Sequence, residues 1–250
     1  MTVEVRARAS AGASTDLALY QLVRRVVLTR QTGRGLLVDI GCGRGTLFHH
    51  LRDSFDHYVG ADLILYDEFP RSSGSEFCRV DLESGKVDLP DAYADVVCSL
   101  ETIEHVENPR ALMRELVRLA KPGGCVIVTT PNQLSLLSKL CLVLKNEFAF
   151  FQERAGQYPA HLSALLEIDL VHLARENGLC EIEVVYTGYG RIPATRMHWP
   201  RWLSGEHDWS GRAFSDNVLL FGRKADSVTA QSEEKAPRQS HAPQPGKHER

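Results

Sequence analysis

Apolar residues recur along this chain in two alternating patterns, short continuous runs and positions three or four apart. Continuous runs predict buried strands, and helical spacing predicts amphipathic helices. The runs predict strands at residues 36–40, 57–61, 76–80, 95–100, 125–130, 181–186 and 217–222. The spacing predicts helices from Thr15 or Asp16 to about Thr29, after Gly45, at 109–120 and at 165–176, with Lys-Pro-Gly-Gly at 121–124 as a turn. Strands that alternate with helices indicate an α/β fold with a doubly wound, mostly parallel sheet.

Composition divides the chain into one domain and two polar ends. We expect a flexible N-terminus at residues 1–14, a single domain at 15–224 and a disordered tail at 225–250, because the polar, proline-containing tail has too little apolar surface to fold. Within the domain, segments at about 134–161 and 191–215 are the least patterned. We expect them to cap the ligand side of the sheet.

Charge and cysteine content narrow the range of partners and compartments. The net charge of -3 argues against DNA as a partner and makes RNA a secondary candidate. The six cysteines form no CxxC pair, which is typical of free thiols in a reducing compartment. No apolar run is long enough to cross a membrane, and the N-terminus lacks the apolar core of a signal peptide. These features favour a cytoplasmic protein.

The segment VDIGCGRG at residues 38–45 is the strongest candidate for a ligand site. Gly41, Gly43 and Gly45 leave bare backbone where the first strand turns into a helix, so a ligand can approach the main chain there. The dinucleotide fingerprint G-x-G-x-x-G fails because residue 46 is Thr. Asp39 would repel a pyrophosphate but attract an ammonium or sulfonium group. S-adenosylmethionine, whose amino-acid end is a zwitterion, fits both halves of the site.

Two further acids follow the next two strands. Asp62 ends the second strand and can accept hydrogen bonds from both ribose hydroxyls. Asp81 follows the third strand and can accept from an adenine amino group, while the Leu82 amide faces the ring. A loop acid taken singly often only caps a turn. Three acids at successive strand ends beside one glycine turn favour the cofactor site.

These motifs carry a resemblance to a known family. VDIGCGRG and the stretch from SLETIEHVENPR to LAKPGGCVIVTTPN resemble class I S-adenosylmethionine-dependent methyltransferases, and they are similar to the ubiquinone-biosynthesis O-methyltransferase branch and related bacterial methyltransferases. The resemblance, over residues 34–222, implies a Rossmann-like seven-stranded sheet of order 3-2-1-4-5-7-6 with an antiparallel last strand. It implies methyl transfer, most simply to oxygen of a small molecule or of a glycan or lipid-linked acceptor. Residues 63–77 depart from it, because their composition indicates a loop where the family has a helix.

The sequence Glu-Thr-Ile-Glu-His at 101–105 supplies candidates for the chemistry. On a helical turn, Glu101, Glu104 and His105 share one face, which can hold a base, a ribose ligand or a metal. We interpret His105, with Glu104, as the catalytic pair and Glu101 as a cofactor ligand. The spacing also resembles that of small-RNA 3'-terminal methyltransferases, which implies a divalent ion held by these three residues and His161. The alternative is that Glu104 and His105 form a polar pair that lines the pocket.

Several alternatives stay open. The resemblance leaves room for metal-assisted methylation of an RNA 3'-terminal ribose and for a non-catalytic module that binds S-adenosylmethionine. The apolar-rich segment 134–151 fits a flap over the acceptor, a helix on a membrane surface beside a lipid-borne acceptor, or, most simply, a helix packed on its own domain. Trp199, Trp202 and Trp209 either stack on the acceptor or pin their own loop.

Overall fold

The computed structural model describes residues 17–31, 34–84, 86–153, 160–188, 192, 195, 197 and 208–226. The predictions for the N-terminal segment 1–14, for a helix cap at Thr15 or Asp16, for most of the tail at 225–250 and for Trp199 and Trp202 lie outside these residues. Trp209 belongs to a short helix, but its side chain is also outside the described part.

The described chain contains the strands that the apolar runs predict and the helices that the apolar spacing predicts, together with a short helix at Asp208–Ala213 that was not predicted. The helices are α1 (Leu17–Arg30), α2 (Thr46–Leu51), α3 (Pro109–Leu119), α4 (Leu136–Lys145), α5 (Glu167–Glu176) and α6 (Asp208–Ala213), with a 3-10 turn at Arg52–Ser54. The strands are β1 (Leu36–Ile40), β2 (His57–Asp62), β3 (Ser75–Arg79), β4 (Ala94–Leu100), β5 (Ala120–Pro131), β6 (Leu179–Tyr186) and β7 (Asn217–Lys224).

The strands form one sheet of order β3-β2-β1-β4-β5-β7-β6. The first five strands are parallel, and β7 runs antiparallel to both β5 and β6. The predicted order is therefore confirmed. Because β1 lies between β2 and β4, the chain reverses its direction of winding at the end of β1, and this is where ligands bind in such sheets.

Helices cover both faces of the sheet. On one face, α1 and α2 bury Val23, Leu47 and Leu51 against Leu37 and other sheet residues. On the other face, Met113 and Leu116 of α3 and Leu170 of α5 are fully buried in a second cluster. The spaced apolar residues of each helix face the sheet because burial of that stripe removes it from water.

Two connections have particular features. No helix forms between β2 and β3, where all of residues 63–74 are described, as the composition predicted. Phe69 from this loop packs on Gly60 so closely that a Cβ there would lie 2.5 Å from its ring. The predicted separate turn at 121–124 is wrong. Strand β5 begins at Ala120, and a register shift in the β4–β5 pairing together with a φ of +72° at Gly123 accommodates these residues within the strand.

Helix α4 is the element whose environment differs most from expectation. The prediction that it packs on its own domain holds only in part. Ser138 is the one buried residue among its ten, all of them described, while Val143 and Leu144 are exposed. An apolar-rich sequence shows that a helix can form but does not fix which neighbour covers it. Within the described chain, no helix is long and apolar enough to cross a membrane.

Candidate functional site

The glycine turn follows β1 and is held to the end of β2. The Gly41 amide donates to the Ala61 carbonyl at 2.8 Å, and the Gly43 amide donates to Asp62 Oδ2 at 2.8 Å. A Cβ on Gly41 would lie 2.2 Å from Thr102 Oγ1, so this position admits no side chain. A Cβ on Gly43, whose φ is +51°, would meet no atom within 4 Å. Gly43 therefore presents bare backbone to open space, as a ligand site at this turn requires.

Asp39 lies behind the turn with its carboxylate buried. It is 3% exposed and accepts a hydrogen bond from the Tyr58 hydroxyl at 2.9 Å. Burial raises the pKa of Asp39 to about 7; the hydrogen bond from Tyr58 opposes this rise, and the charge of Asp62 adds to it. A positively charged ligand near Asp39 would favour its ionised form, so the electrostatics suit a cation.

Asp62 ends β2, and Asp81 follows the neighbouring strand β3. Asp62 accepts from the amides of Gly43 and, at 3.3 Å, Ile64, while burial raises its pKa. Asp81 accepts from the Glu83 amide at 3.0 Å, and Leu82 packs partly buried against the core. Since the Val80 amide donates to the Asp62 carbonyl at 2.9 Å, these strand ends are adjacent. Their assignment to ribose and adenine stays a prediction.

Glu101 takes a different position from the one that its spacing predicted. Residues 101–108, all described, form turns and bends with no helix, and Glu101 has a φ of +49°. Its two carboxylate oxygens accept hydrogen bonds from Thr129 Oγ1 at 3.0 Å and from Asn217 Nδ2 at 2.7 Å. Glu101 therefore faces β5 and β7. The prediction of a shared helical face with Glu104 and His105 is wrong.

Glu104, His105 and His161 come together without Glu101. One oxygen or nitrogen atom from each lies within 4.8 Å of the others, a spacing that admits a metal ion. The backbone explains the proximity, because the Leu162 and Ser163 amides both donate to the Glu104 carbonyl, at 2.7 and 3.0 Å. The His105 and His161 rings meet edge to face with centroids 4.7 Å apart.

The hydrogen bonds within this cluster define its protonation. His105 Nδ1 donates to the Ala160 carbonyl at 2.9 Å, which leaves Nε2 of the neutral ring as an acceptor, 4.0 Å from Glu104 Oε1. Thr130 Oγ1 donates to the other oxygen of Glu104 at 3.0 Å. Glu104 Oε1 and His161 Nδ1 are buried and have no hydrogen-bond partner among the described residues.

Burial shifts all three pKa values towards the neutral forms. It raises the pKa of Glu104, which is fully buried, and lowers the pKa of His105. Burial also lowers the pKa of His161 to about 4, with a further contribution from the charge of His105. Buried polar atoms without hydrogen-bond partners are uncommon in proteins. Their presence indicates that a ligand can bind at this cluster and contact these atoms.

Some residues around the site gave no signal in the sequence. Thr130, Thr129 and Asn217 orient the two glutamates, and the Ala160 carbonyl sets the tautomer of His105. Asn217 is 116 positions from Glu101, so only the pairing of β7 with β5 brings the two together. The threonines are ordinary strand residues in the sequence.

Comparison with known proteins defines the class. Residues 15–207 match a family model described as a methyltransferase domain. A Mycolicibacterium smegmatis protein named as a probable S-adenosylmethionine-dependent methyltransferase is 32% identical over 46% of this chain and 45% of its own length. A ubiquinone biosynthesis O-methyltransferase from Nitrosospira multiformis is 30% identical over 68% of this chain and 71% of its own. The chain thus spans less than half of the first of these relatives and about seven tenths of the second.

The fold comparison agrees with the sequence matches. A methyltransferase from Archaeoglobus fulgidus, described as S-adenosylmethionine-dependent, superimposes with a TM-score of 0.55 at 17% identity and covers 82% of this chain and 94% of its own. With the strand order and glycine turn described above, these matches place the protein in the family of S-adenosylmethionine-dependent methyltransferases. Its cofactor is S-adenosylmethionine.

Proposed function

We propose that the protein transfers a methyl group to a hydroxyl oxygen of a small molecule or of a glycan or lipid-linked acceptor. The observation that carries the proposal is His105, a partly buried neutral imidazole with Nε2 free to accept a proton. The name of the Nitrosospira relative supports oxygen as the acceptor atom. Asp39, the glycine turn, Asp62, Asp81 and Leu82 form the proposed cofactor site.

The chain itself supplies the positioning and the base. The bound cofactor supplies an electrophilic methyl group on a positively charged sulfur. Segment 101–105 borders the cofactor site because Thr102 packs against Gly41. An acceptor hydroxyl beside His105 gives its proton to Nε2 as the oxygen bonds to the methyl carbon, and the electron pair of the broken carbon–sulfur bond stays on sulfur. Glu104 then accepts a hydrogen bond from, or pairs with, the protonated ring.

Substitution of His105 tests this role. We expect His105→Gln to lower the rate of transfer by about 100-fold to 10,000-fold, because a general base is lost, while cofactor affinity stays within about threefold. The measurement is transfer of tritium from methyl-labelled S-adenosylmethionine to catechol and to a panel of glycosides, with calorimetric titration of the cofactor. His172→Gln, at an exposed histidine of α5, is the control.

A full rate in His105→Gln would overturn the base assignment. Cofactor binding without transfer to any acceptor would favour the non-catalytic module. A product methylated on nitrogen or carbon would contradict oxygen as the acceptor atom.

We further propose, as an alternative to the base role of His105, that the Glu104–His105–His161 cluster holds a divalent ion. Because His105 Nδ1 donates to the Ala160 carbonyl, the ion would bind Nε2, which then no longer accepts a proton. Carboxylate and imidazole ligands suit Mn²⁺, Zn²⁺ or Mg²⁺, and the two unpaired buried atoms, Glu104 Oε1 and His161 Nδ1, fit such an ion. An ion there would favour ionised Glu104 and help to orient an acceptor hydroxyl. Glu101 is not a member of this set, since its oxygens are held by Thr129 and Asn217.

Metal content tests this proposal apart from activity. We expect equilibrium dialysis to show one Mn²⁺ or Zn²⁺ per chain, and His161→Ala or Glu104→Gln to weaken binding by about 10-fold to 100-fold or more. Glu101→Gln should leave the metal affinity unchanged. If the wild-type chain retains no metal and chelators do not change the rate of methyl transfer, the metal proposal is wrong. The proposed base role of His105 would be unaffected. An equal loss in Glu101→Gln would instead restore a four-ligand site.

A further inference from the structure

Helix α4 presents an uncovered apolar surface. Its side chains Val143 and Leu144 are 79% and 78% exposed, and Leu140 and Leu142 are 39% and 40% exposed. Helical spacing places Leu140, Val143 and Leu144 on one outward stripe. Large apolar side chains in one patch mark an interaction surface rather than ordinary exposure.

Polar contacts hold the first turn of α4 to the domain. Ser135 caps the helix by accepting from the Ser138 amide at 3.1 Å. The Ser138 hydroxyl donates to Gln133 Oε1 at 3.1 Å and accepts from the Ala149 amide at 3.2 Å. Asn146, with a φ of +59°, ends the helix and turns the chain back. The apolar stripe therefore stays outward while the base of the helix is fixed.

The charges on α4 indicate what covers it. Lys139 and Lys145 are both exposed, and the helix contains no acidic residue; the nearest acid in sequence is Glu147, beyond its end. An apolar stripe with Lys139 beside it and Lys145 at the end of the helix matches the boundary between acyl chains and anionic headgroups. A second copy of α4 would bring no carboxylate from the same helix to pair with these lysines. We propose that α4 lies on the surface of a bilayer that contains anionic lipid.

This surface is continuous with the candidate site. At one end, β5 ends at Pro131, next to Thr130, whose hydroxyl contacts Glu104, and α4 begins at Leu136. At the other end, the Phe151 ring packs on His161 with centroids 5.2 Å apart. A bilayer under α4 would thus bring the Glu104–His105–His161 cluster to its surface. Insofar as the proposed function holds, the acceptor hydroxyl belongs to a lipid-borne molecule.

Vesicle sedimentation of the full chain tests the docking. We expect the protein to sediment with vesicles of phosphatidylcholine mixed with phosphatidylglycerol, and far less with phosphatidylcholine alone. Val143→Ser/Leu144→Ser should weaken binding by about tenfold or more, because the buried apolar area is lost. Lys139→Gln/Lys145→Gln should weaken it by about fivefold per lysine and reduce its salt dependence. Ile168→Ser, at a half-exposed apolar residue of α5, should bind as the wild type does.

Two results would overturn the proposal. One is equal sedimentation of the wild type and of Val143→Ser/Leu144→Ser. The other is a wild type that does not bind vesicles but is a dimer by light scattering, while Val143→Ser/Leu144→Ser is a monomer. In that case α4 would form a contact between two copies of the chain. Methyl transfer to water-soluble catechol without vesicles is measured in parallel, so that loss of docking and failure of the proposed function are told apart.

Discussion

Asp39 and Glu104 are two carboxylates that the fold buries. Each accepts a single hydroxyl hydrogen bond, from Tyr58 and Thr130 respectively, and burial raises the pKa of each. A buried carboxylate is costly to ionise until a positive charge approaches it. A cation bound beside either residue would therefore favour its ionised form.

The pKa of Asp39 predicts a pH dependence of stability. The folded protein keeps this carboxyl protonated up to about pH 7, whereas the unfolded chain releases the proton near its usual pKa of 3.8. Between these two pKa values the folded state binds more protons than the unfolded chain does. The stabilisation by the protonated carboxyl is therefore complete below pH 3.8 and is lost as the pH rises through about 7. Relative to Asp39→Asn, the ligand-free wild type should lose up to about 4 kcal/mol of unfolding free energy over this range.

Denaturant unfolding at several pH values measures this difference. Asp53→Asn, which removes a carboxylate that is 92% exposed, is the control and should follow the wild type. Parallel pH profiles for wild type and Asp39→Asn would show that Asp39 ionises normally within the fold.

At the scale of single elements, α3 shows how a few residues define a helix that supports the site. Asn108 caps it by accepting from the Ala111 amide at 3.0 Å, and Pro109 occupies its first turn. The helix buries Met113 and Leu116 beneath β4. It thereby fixes the strand whose end carries Glu101 to His105.

Loss of this cap should destabilise the fold without changing the affinity for the cofactor. We expect Asn108→Ala to lower the free energy of unfolding by about 1 kcal/mol, because one helix amide loses its partner. Thermal and denaturant unfolding measure the change, and Arg114→Ala, at an exposed position of the same helix, should stay within about 0.5 kcal/mol of wild type. A cofactor affinity that falls in Asn108→Ala would contradict a purely structural role.

The sequence predicts the elements well where burial dictates residue type. Helices cover the central strands β1 and β4 on both faces, so the apolar runs of these strands are continuous. Their predicted and observed bounds agree within one residue. The half-covered edge strand β3 also agrees within one residue, whereas β5 begins five residues before its predicted start, because its first residues, Ala-Lys-Pro-Gly-Gly, form no apolar run. The direction of Glu101 and the exposure of α4 were not predictable, because the first depends on Asn217 across the sheet and the second on the absence of packing.

At the scale of the whole molecule, the residues of the candidate site lie together along one edge of the sheet. The carboxyl ends of β1, β2, β4 and β5 meet there, and the antiparallel β7 adds its first residue, Asn217, opposite Pro131. Residues from distant parts of the chain thus converge without a second domain. Binding at this edge involves most of the sheet, so a ligand should stabilise the molecule globally.

Cofactor-linked stabilisation tests the glycine turn. S-adenosylmethionine at about 100 times its Kd should raise the free energy of unfolding of the wild type by about 2.7 kcal/mol. Gly43→Val should abolish this gain, since its side chain enters the open space of the site. Gly178→Val is the matched control, because Gly178 also has a positive φ, of +83°, and no atom within 4 Å of its Cβ position.

Both valine variants should lose about 1–2 kcal/mol of intrinsic stability from backbone strain. Only Gly178→Val should still be stabilised by S-adenosylmethionine. The measurement is the shift in the midpoint of thermal unfolding on addition of the cofactor. A response that survives in Gly43→Val would place the cofactor elsewhere.

The position of Cys42 between two glycines of the turn has a chemical consequence. Its side chain is 8% exposed, and burial together with the charges of Asp39 and Asp62 raises the pKa of the thiol. Alkylating reagents attack the thiolate, so Cys42 is protected for as long as the turn stays closed, whereas Cys180 is exposed on β6. The rate of Cys42 alkylation in the native protein therefore reports how often the turn opens, and ligands that hold the turn closed slow it.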